Sequence, residues 1–310
     1  MGAGPDLIIV GQVTVDDIVP AEPAIWRREI GGNALYAAAG ARLWLDPARI
    51  GAVTRTGQGY PFDLDLDLIL ADAGIGHAAI NRIAGEHVIE WLIYEDDGSR
   101  RSLPRNRALR DVGAEGSSTL EPFYEMFLGM TPTAGDIPAD WLPAAAIHLC
   151  PQMGTRHPDS LAALRERADW ISVDPSPHYS RKFDPAGLGR LLAGASAFLP
   201  SAQEMRPIVA SMDPAAAVRA LHQAGLPEIV LKRGADPMIV AAAGEVETIP
   251  VALAKVVDPT GAGDSFCGAY AACRLLGFDP FEAARRAAAS AALVVGCSGA
   301  REALALSRQR

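Results

Sequence analysis

The sequence predicts an α/β protein with a mostly parallel central sheet and helices on both faces. Short apolar runs of strand length recur along the chain, and alanine- and leucine-rich segments of helical length separate most of them. Parallel strands require such crossovers, which cover both faces of the sheet. With 310 residues, 49% of them hydrophobic, the chain has enough apolar material for one large core. We expect a single domain over residues 1–310.

The individual elements are predicted in chain order from their apolar periodicity. A strand follows closely on the N-terminal residues, and a double glycine precedes the first long helix. The predicted strands of the parallel sheet are Leu7–Val10, Arg49–Thr54, Ala146–Cys150, Trp170–Val173, Ala197–Leu199 and Glu228–Lys232. The first two predicted helices are Gly32–Leu45 and Phe62–Ala73.

Two segments depart from this alternation. Residues 77–103 show little helical period, and Val88–Tyr94 runs into a turn containing Gly98, which predicts an inserted antiparallel hairpin. Residues 104–145 are rich in Gly, Pro and Ser, which predicts loops and short helices.

The C-terminal part is predicted to contain a hairpin followed by two helices. The strand-like segments Met238–Ala242 and Val246–Ile249 lie on either side of Gly244. Alanine-rich helical patterns then begin at Asp264 and at Pro280.

The composition limits the partners that the protein can have. Lys and Arg number 28 against 37 Asp and Glu, a net charge of −9 without a long basic block, which argues against nucleic acid. A phosphate ligand must then be held by backbone amides and a few basic side chains. No signal-like core or membrane-length apolar run occurs, so we expect a cytoplasmic protein with no membrane partner. Four cysteines without metal-ligand spacing are expected to be reduced core residues: Cys150, Cys267, Cys273 and Cys297.

The most informative stretch is Asp258–Tyr270, which joins a glycine-rich turn to a helical pattern. Because Gly261 and Gly263 lack Cβ atoms, the backbone can turn tightly and present consecutive N–H groups toward one point. The first turn of the helix adds further N–H groups and the positive end of its dipole. The stretch therefore predicts a phosphate site at the start of this helix.

The carboxylate of Asp264 at the same place has two interpretations. Aspartate is among the best N-cap residues, so Asp264 could simply cap the helix. A general base that accepts a proton from a hydroxyl as it attacks a phosphate would need the same position. The residues alone leave both interpretations open.

The nine residues Asp258–Phe266 resemble the C-terminal signature of the PfkB carbohydrate kinases, with Pro259 as the departure from the common form. The resemblance implies that Asp264 is the catalytic base. It also implies an anion hole for the transferred phosphoryl group, formed by the amides of Gly261, Ala262 and Gly263. In relatives the reaction uses ATP and Mg²⁺ and, in some, a monovalent cation such as K⁺.

The resemblance also implies a three-layer ribokinase-like fold in which a small β-sheet forms a lid over the substrate. An insertion around residues 77–107 would supply this lid, with Ile89, Trp91 and Ile93 on its closing face. Ordinary half-buried strand packing explains the same alternation. Relatives pair through their lids, so a homodimer through the lid is expected.

On the acceptor side, Asp16 follows the first strand at the spacing where the family has its substrate-binding Asp. The alternative is a solvated turn acid. The run Gly31-Gly32-Asn33 resembles the family's N-terminal double glycine, whose backbone lies close to the sugar. A tight turn with Asn33 as N-cap explains the same residues. After this run the chain departs from its relatives, with Tyr36 where many have Asn.

On the nucleotide side, Ser201 and Glu204 occupy the positions of the family's Asn-x-x-Glu motif, which organises Mg²⁺ and phosphate. Ser201 replaces the Asn, and a capping box explains the same spacing. The resemblance implies that Glu204 and Asp258 are metal ligands.

Three further regions match parts of relatives that contact the nucleotide or a monovalent cation. Lys232 and Gly234 end a strand where relatives contact nucleotide phosphates, and Asp174 begins a segment expected near the phosphates. Cys297 lies in a late run that in some relatives contacts the nucleotide base, and Asp258 matches a cation-binding region.

One glycine motif is misleading. Gly74–Ala79 satisfies the dinucleotide pattern Gly-x-Gly-x-x-Ala, but it follows a predicted helix and precedes predicted strands. A Rossmann turn requires the reverse order, so we reject a dinucleotide site here.

These residues predict an ATP-dependent kinase that phosphorylates a hydroxyl of a small sugar or polyol. Two alternatives stay open: a nucleoside kinase of the same fold, and a non-catalytic sugar- or nucleotide-binding regulator, which Ser201 favours mildly. A nucleoside would need an aromatic shelf, available from Trp26, Tyr36 and Trp91. A sugar phosphate would need extra basic contacts, available from Arg27, Arg105 and Arg107.

Overall fold

The fold is described from a computed structural model of the chain. It describes residues 4–19, 27–61, 64–94, 100–104, 121–153, 156–252 and 254–307. Within these ranges only the backbone is described for residues 17–19, 27–28, 90–94, 100–104, 121–124 and 177–178. The side chains of Trp91 and Ile93, and residues Trp26, Arg105 and Arg107, therefore lie outside the description.

The described residues form strands and helices that alternate over most of the chain. The strands are β1 (Leu7–Val10), β2 (Thr14–Val19), β3 (Arg27–Gly31), β4 (Ile50–Gln58), β5 (His77–Glu86), β6 (Ile89–Tyr94), β7 (Arg100–Pro104), β8 (Ala144–Leu149), β9 (Ala168–Val173), β10 (Ala197–Phe198), β11 (Glu228–Leu231), β12 (Met238–Ala242) and β13 (Glu245–Ile249). The helices are α1 (Asn33–Arg42), α2 (Leu66–Asp72), α3 (Glu121–Met130), α4 (Arg156–Leu164), α5 (Pro177–Ser180), α6 (Pro185–Leu191), α7 (Arg206–Val209), α8 (Pro214–Gln223), α9 (Ala262–Leu275), α10 (Pro280–Val294) and α11 (Gly299–Ala305).

The main sheet has the strand order β13-β12-β11-β10-β9-β8-β1-β4-β5. Neighbours from β11 through β5 pair in parallel, whereas β12 and β13 form the antiparallel edge hairpin predicted around Gly244. The predicted mostly parallel sheet is confirmed. Because all parallel strands run the same way, the residues that follow them gather at one edge of the sheet.

Both faces of the sheet are covered by helices, as predicted. The fully buried strand β1 shows this directly: Leu7 and Ile9 belong to the core beneath α1 and α11, whereas Ile8 belongs to the opposite core with Leu161 of α4 and Val218 of α8. A strand buried on both sides has no polar face, which explains its continuous apolar sequence.

A second, four-stranded sheet has the order β3-β2-β6-β7, and it corrects the predicted insertion. The prediction treated residues 77–107 as one inserted piece, but β5 pairs in parallel with β4 at the edge of the main sheet. The small sheet instead combines β6 and β7 with β2 and β3, which come directly after β1. Since β5 is a half-exposed edge strand, its sequence lacks the continuous apolar run that marks the inner strands.

The helices α1 and α9 pack unusually closely, and they position the site. A Cβ atom on Gly40 of α1 would collide with the carbonyl of Ser265, and one on Gly268 of α9 would collide with the carbonyl of Ala37. Glycine at both points therefore lets the two backbones touch. The middle and end of α1 are consequently held against the first half of α9.

Two other expectations about the helices can be compared with the structure. The rejected glycine motif follows α2 and precedes β5, so the helix-to-strand order that excluded a Rossmann turn is confirmed. Within the part of the chain that the structure describes, no helix has the length and apolar character needed to cross a bilayer.

Candidate active site

A cleft of about 380 Å³ lies at the carboxyl edge of the main sheet, between the start of α1 and the start of α9. Six of the predicted site residues line it: Asp16, Gly32, Asn33, Glu204, Gly261 and Asp264. The structure thus brings together residues from both halves of the chain. A larger cleft of about 610 Å³ lies between β4, β5 and α2, but the predicted site residues are not among those that line it. We therefore assign the chemistry to the smaller cleft.

The position of Asp264 excludes the capping interpretation. Helix α9 begins at Ala262, two residues before the predicted start, and its N-cap is Gly261, which makes no side-chain cap bond. Asp264 is thus the third residue of the helix, and its side chain lines the cleft. A carboxylate in the first turn of a helix that lines a cleft can act on a substrate hydroxyl as a base.

The turn before α9 depends on glycine at position 261. Gly261 has φ 75°, in the left-handed region, and a Cβ atom there would fall on the ring of Tyr36. The preceding residues stabilise the turn, since the amide of Thr260 donates to Oδ1 of Asp258 at 2.9 Å. Asp258 therefore shapes the turn and is not among the described residues that line the cleft.

The double glycine serves the packing of the chain against itself. A Cβ atom on Gly31 would collide with the carboxylate of Asp16, which is only 4% exposed. Gly32 has φ 100°, and its Cβ would come within 2.7 Å of Cα of Val13. Glycine at these positions lets the end of β3 approach the residues that follow β1. Asp16 is consequently a buried side chain of the cleft, and the alternative of a solvated turn acid is wrong.

Asn33 is the first residue of α1, and the expected N-cap role falls to Gly32. Its Oδ1 accepts from the amide of Gln12 at 2.7 Å, and its Nδ2 donates to the carbonyl of Pro151 at 3.2 Å. Asn33 therefore ties together the loops that follow β1 and β8. Gln12 extends this network, because its Nε2 donates to the carbonyl of Phe127 at 2.8 Å.

Ser201 and Glu204 form the reciprocal bonds of a capping box. The amide of Ser201 donates to Oε2 of Glu204 at 2.6 Å, and the amide of Glu204 donates to Oγ of Ser201 at 3.2 Å. Glu204 nevertheless lines the cleft, so the capping box does not remove it from the candidate site. Ser201 itself is not among the described lining residues.

Lys232 follows β11. It is not among the described residues that line the cleft. Nζ donates to both carboxylate oxygens of Asp174 at 2.9 Å and lies 3.1 Å from Sγ of Cys267. Burial alone would lower the pKa of Lys232, but the charge of Asp174 outweighs it and raises the pKa well above its ordinary value. The lysine is therefore a charged, internally paired group.

Gly234 and Cys297 also lie apart from the cleft. Gly234 sits in the exposed turn between β11 and β12, with φ 64° and open space around its Cα. Cys297 is 4% exposed and packs in the core beneath α1. Both were predicted as cofactor-binding residues from their positions in the family pattern alone. Neither is among the described residues that line the cleft.

Several residues that line the cleft are not among the predicted site residues, although Tyr36 is one of the aromatic residues offered as a shelf for a nucleoside base. Tyr36 lies three residues after Asn33, on the same face of α1, so helical spacing was a usable signal. Phe127 comes from α3, in the segment predicted only as loops and short helices, where no motif marks it. The residues in this group are Gln12, Thr14, Tyr36, Phe127, Pro151, Arg181, Gln203 and Thr260.

The charges of the lining are mostly negative. Asp16, Glu204 and Asp264 contribute carboxylates, and Arg181 contributes a guanidinium that donates to the carbonyl of Gln203 at 3.1 Å. Among the residues that the structure describes, no cluster of three or more His, Cys, Asp or Glu forms a ready-made metal site. A metal ion in this cleft would need oxygen ligands from a substrate or water as well.

Comparisons with known proteins find similarity to sugar and nucleoside kinases. A model of the pfkB family of carbohydrate kinases matches residues 157–306. The cytidine kinase of Thermococcus kodakarensis is 25% identical over 275 residues, which are 86% of this chain and 87% of the relative. The 2-dehydro-3-deoxygluconokinase of Escherichia coli K12 is 43% identical over 83 residues, which are 26% of this chain and 27% of the relative.

The fold is shared along nearly the whole chain. Fructokinase with bound ATP from Xylella fastidiosa aligns with 96% of this chain and 94% of its own, with a TM-score of 0.69 at 19% identity. At that identity the likeness concerns the fold, and it confirms the three-layer architecture that the resemblance implied. The chain thus combines a ribokinase-like fold with a C-terminal segment, residues 157–306, that is similar to the pfkB family of carbohydrate kinases.

Proposed function

We propose that the protein is an ATP-dependent kinase that transfers a phosphoryl group to a hydroxyl of a small sugar or polyol. The observation that carries the proposal is the placement of Asp264 and Asp16 in one cleft, beside the glycine turn at the start of α9. One carboxylate is available as a base, and the other can orient the acceptor. The match of residues 157–306 to the pfkB family of carbohydrate kinases supports the same reaction.

In this proposal Asp16 accepts hydrogen bonds from the hydroxyls of the acceptor, and Asn33 accepts from them or donates to them. Asp264 takes the proton of the reacting hydroxyl as its oxygen attacks the phosphorus in line. The amides of the Gly261–Gly263 turn, at the positive end of a 14-residue helix, stabilise the charge on the moving phosphoryl oxygens. No covalent enzyme intermediate is required.

The chemistry of the lining fits a magnesium nucleotide. Backbone amides at the start of α9 and the guanidinium of Arg181 suit anionic phosphate oxygens. Glu204 offers the hard oxygen ligand that Mg²⁺ prefers, with water and phosphate completing its shell. When bound, Mg²⁺-ATP supplies the phosphoryl group and neutralises part of its charge. Asp258, bonded within its own turn, is a weaker candidate for a metal ligand.

A nucleoside kinase is the second candidate, and two observations favour it. The cytidine kinase relative aligns over most of both chains. In addition, the cleft contains the aromatic side chains Tyr36 and Phe127, which can provide a shelf for a base. Arg181 further makes an acidic sugar a reasonable member of the acceptor panel.

The test is ADP release from Mg²⁺-ATP over a panel of neutral sugars, polyols, sugar acids and nucleosides, with a sample lacking acceptor as the control. Release with a sugar or polyol supports the proposal. Release confined to nucleosides would replace it with the second candidate. Binding of panel members without ADP release would identify the non-catalytic regulator.

The proposal has further parts that rest on the family resemblance. We place the enzyme in the cytoplasm, in agreement with its use of ATP and with four buried cysteines that form no disulfide bond. A homodimer through the four-stranded sheet and a monovalent cation near Asp258 belong to the same proposal. Light scattering and K⁺ titration of the ADP-release rate test these two parts separately.

A further inference from the structure

A buried charged cluster lies behind the proposed anion hole. It consists of Asp174 after β9, Lys232 after β11 and Cys267 in α9. Nζ of Lys232 lies 2.9 Å from each carboxylate oxygen of Asp174 and 3.1 Å from Sγ of Cys267, which is 3.3 Å from Oδ2 of Asp174. The side chains of Lys232 and Asp174 are only 11% and 3% exposed.

The ammonium group of Lys232 is placed directly against the glycine turn. A Cβ atom built on Gly263 would lie 3.4 Å from Nζ. Lys232 is not among the described residues that line the cleft, so it approaches the turn from the side away from the cleft. The thiol of Cys267, on the same helix, ties the ammonium to the first turns of α9.

The backbone of Lys232 contacts the other side of the site. Its amide donates to the carbonyl of Pro200 at 2.8 Å, and its carbonyl accepts from the amide of Ala202 at 2.8 Å. These bonds support the loop that carries Glu204 into the cleft. One residue thus connects the glycine turn, the end of β9 and the loop of Glu204.

The charge of this cluster has a consequence for the site. The cleft carries the carboxylates of Asp16, Glu204 and Asp264, and these repel a phosphoryl group, whereas Arg181 is the basic side chain among the described lining residues. Asp174 offsets part of the charge of the ammonium, but Nζ lies 3.4 Å from a Cβ built on Gly263 and no atom of Asp174 lies within 4 Å of it, so the pair presents its positive end to the turn.

We propose that Lys232 is a positioning residue for phosphoryl transfer. Held by Asp174 and Cys267, its ammonium fixes the Gly263 backbone and adds positive potential to the anion hole without touching the nucleotide. This inference rests on the proposed kinase function. It differs from the sequence-based expectation, in which Lys232 contacts the phosphates directly.

The test compares a variant that keeps a cation at position 232 with one that removes it. K232R keeps a cation paired with Asp174, and D174N/K232Q replaces the pair by two amides that can still bond to each other, so neither variant leaves a buried carboxylate unpaired. The probes are Mg²⁺-ADP alone and Mg²⁺-ADP with aluminium fluoride, which imitates the transferred phosphoryl group. Affinities are measured by titration calorimetry, and folding is checked by thermal unfolding.

We expect both variants to bind Mg²⁺-ADP as the wild type does. Only D174N/K232Q should lose affinity for the aluminium fluoride complex, by about tenfold or more. Equal affinity of the two variants for that complex would overturn the inference. If D174N/K232Q does not fold, the apolar pair D174L/K232M replaces it with the same expected loss. Failure of the wild type to form the complex would instead count against the kinase function itself.

Discussion

At the scale of single residues, the site depends on glycines because other parts of the protein occupy the space that a side chain would need. Gly261 combines a left-handed φ of 75° with contact to the ring of Tyr36, and Gly31 makes room for Asp16. Tyr36 thus lies between the acceptor helix and the glycine turn. Under the proposed function, Tyr36 limits which acceptor fits in the cleft.

Gly261→Ala should therefore impair both stability and turnover. The left-handed conformation alone costs about 1–2 kcal/mol for alanine. The added Cβ must in addition displace the Tyr36 ring, which reshapes the turn. Gly244→Ala is the matched control, since Gly244 has φ 83° but open space around it. Urea unfolding should show the backbone cost in both variants and a larger loss of stability in Gly261→Ala, and ADP release should be impaired in Gly261→Ala alone. Equal turnover of the two variants would contradict the role of this contact.

At the scale of elements, the two halves of the site are joined by the close contact of α1 and α9. Asn33 and Tyr36 lie at the start of α1, and Asp264 lies at the start of α9. Because the backbones touch at Gly40 and Gly268, a small shift between the helices changes the distance between acceptor and base. The contact is thus part of the catalytic geometry.

Gly268→Ala tests this contact. The new methyl group would collide with the carbonyl of Ala37, so overpacking should cost about 1–3 kcal/mol and lower turnover. Gly129→Ala in α3 is the control, because a Cβ there would lie 3.8 Å from Ile83, an ordinary contact. That control should be neutral or stabilising by up to about 1 kcal/mol. A Gly268→Ala protein as stable and active as wild type would show that the helices can separate without effect.

At the scale of the whole molecule, sequence reasoning succeeded where the chain repeats a local pattern. The uniformly apolar sequence of β1 predicted a strand buried in a parallel sheet. The motif Asp258–Tyr270 predicted the site at Asp264. Sequence reasoning failed where tertiary contacts decide the outcome. The edge strand β5 looks like part of an insertion, and the side chain of Lys232 is turned inward by Asp174, which is distant in sequence. Phe127 reaches the cleft through a helix that has no motif.

The whole molecule should also lose stability in mild acid. Burial lowers the pKa of His87 to about 4, of His148 to about 3 and of His157 to about 4, so all three stay neutral in the folded protein at neutral pH. Below an ordinary histidine pKa near 6.5 the unfolded chain binds up to three more protons than the folded one. This contribution is present above about pH 6.5 and is lost as the pH falls toward the folded values.

Urea unfolding between pH 7.5 and 5 measures this dependence. The free energy of unfolding should fall with pH, at a limiting slope of about 4 kcal/mol per pH unit for three protons. His87→Gln should remove the contribution of one proton from this slope, because glutamine at position 87 does not titrate. A wild-type stability that does not change over this range would contradict the burial of neutral histidines.

The most direct measurement for the central claim compares two Asp-to-Asn variants at helix starts. Asp264→Asn keeps the size of the side chain but removes the base, whereas Asp279→Asn changes the N-cap of α10, which accepts from the amides of Phe281 and Glu282. Asn caps a helix as well as Asp does, so the control should be unaffected. With Mg²⁺-ATP and the acceptor identified in the panel, Asp264→Asn should lower turnover by at least about 10²-fold while Mg²⁺-ADP binding and thermal stability are retained. Turnover of Asp264→Asn at the wild-type rate would contradict the assignment of Asp264 as the base.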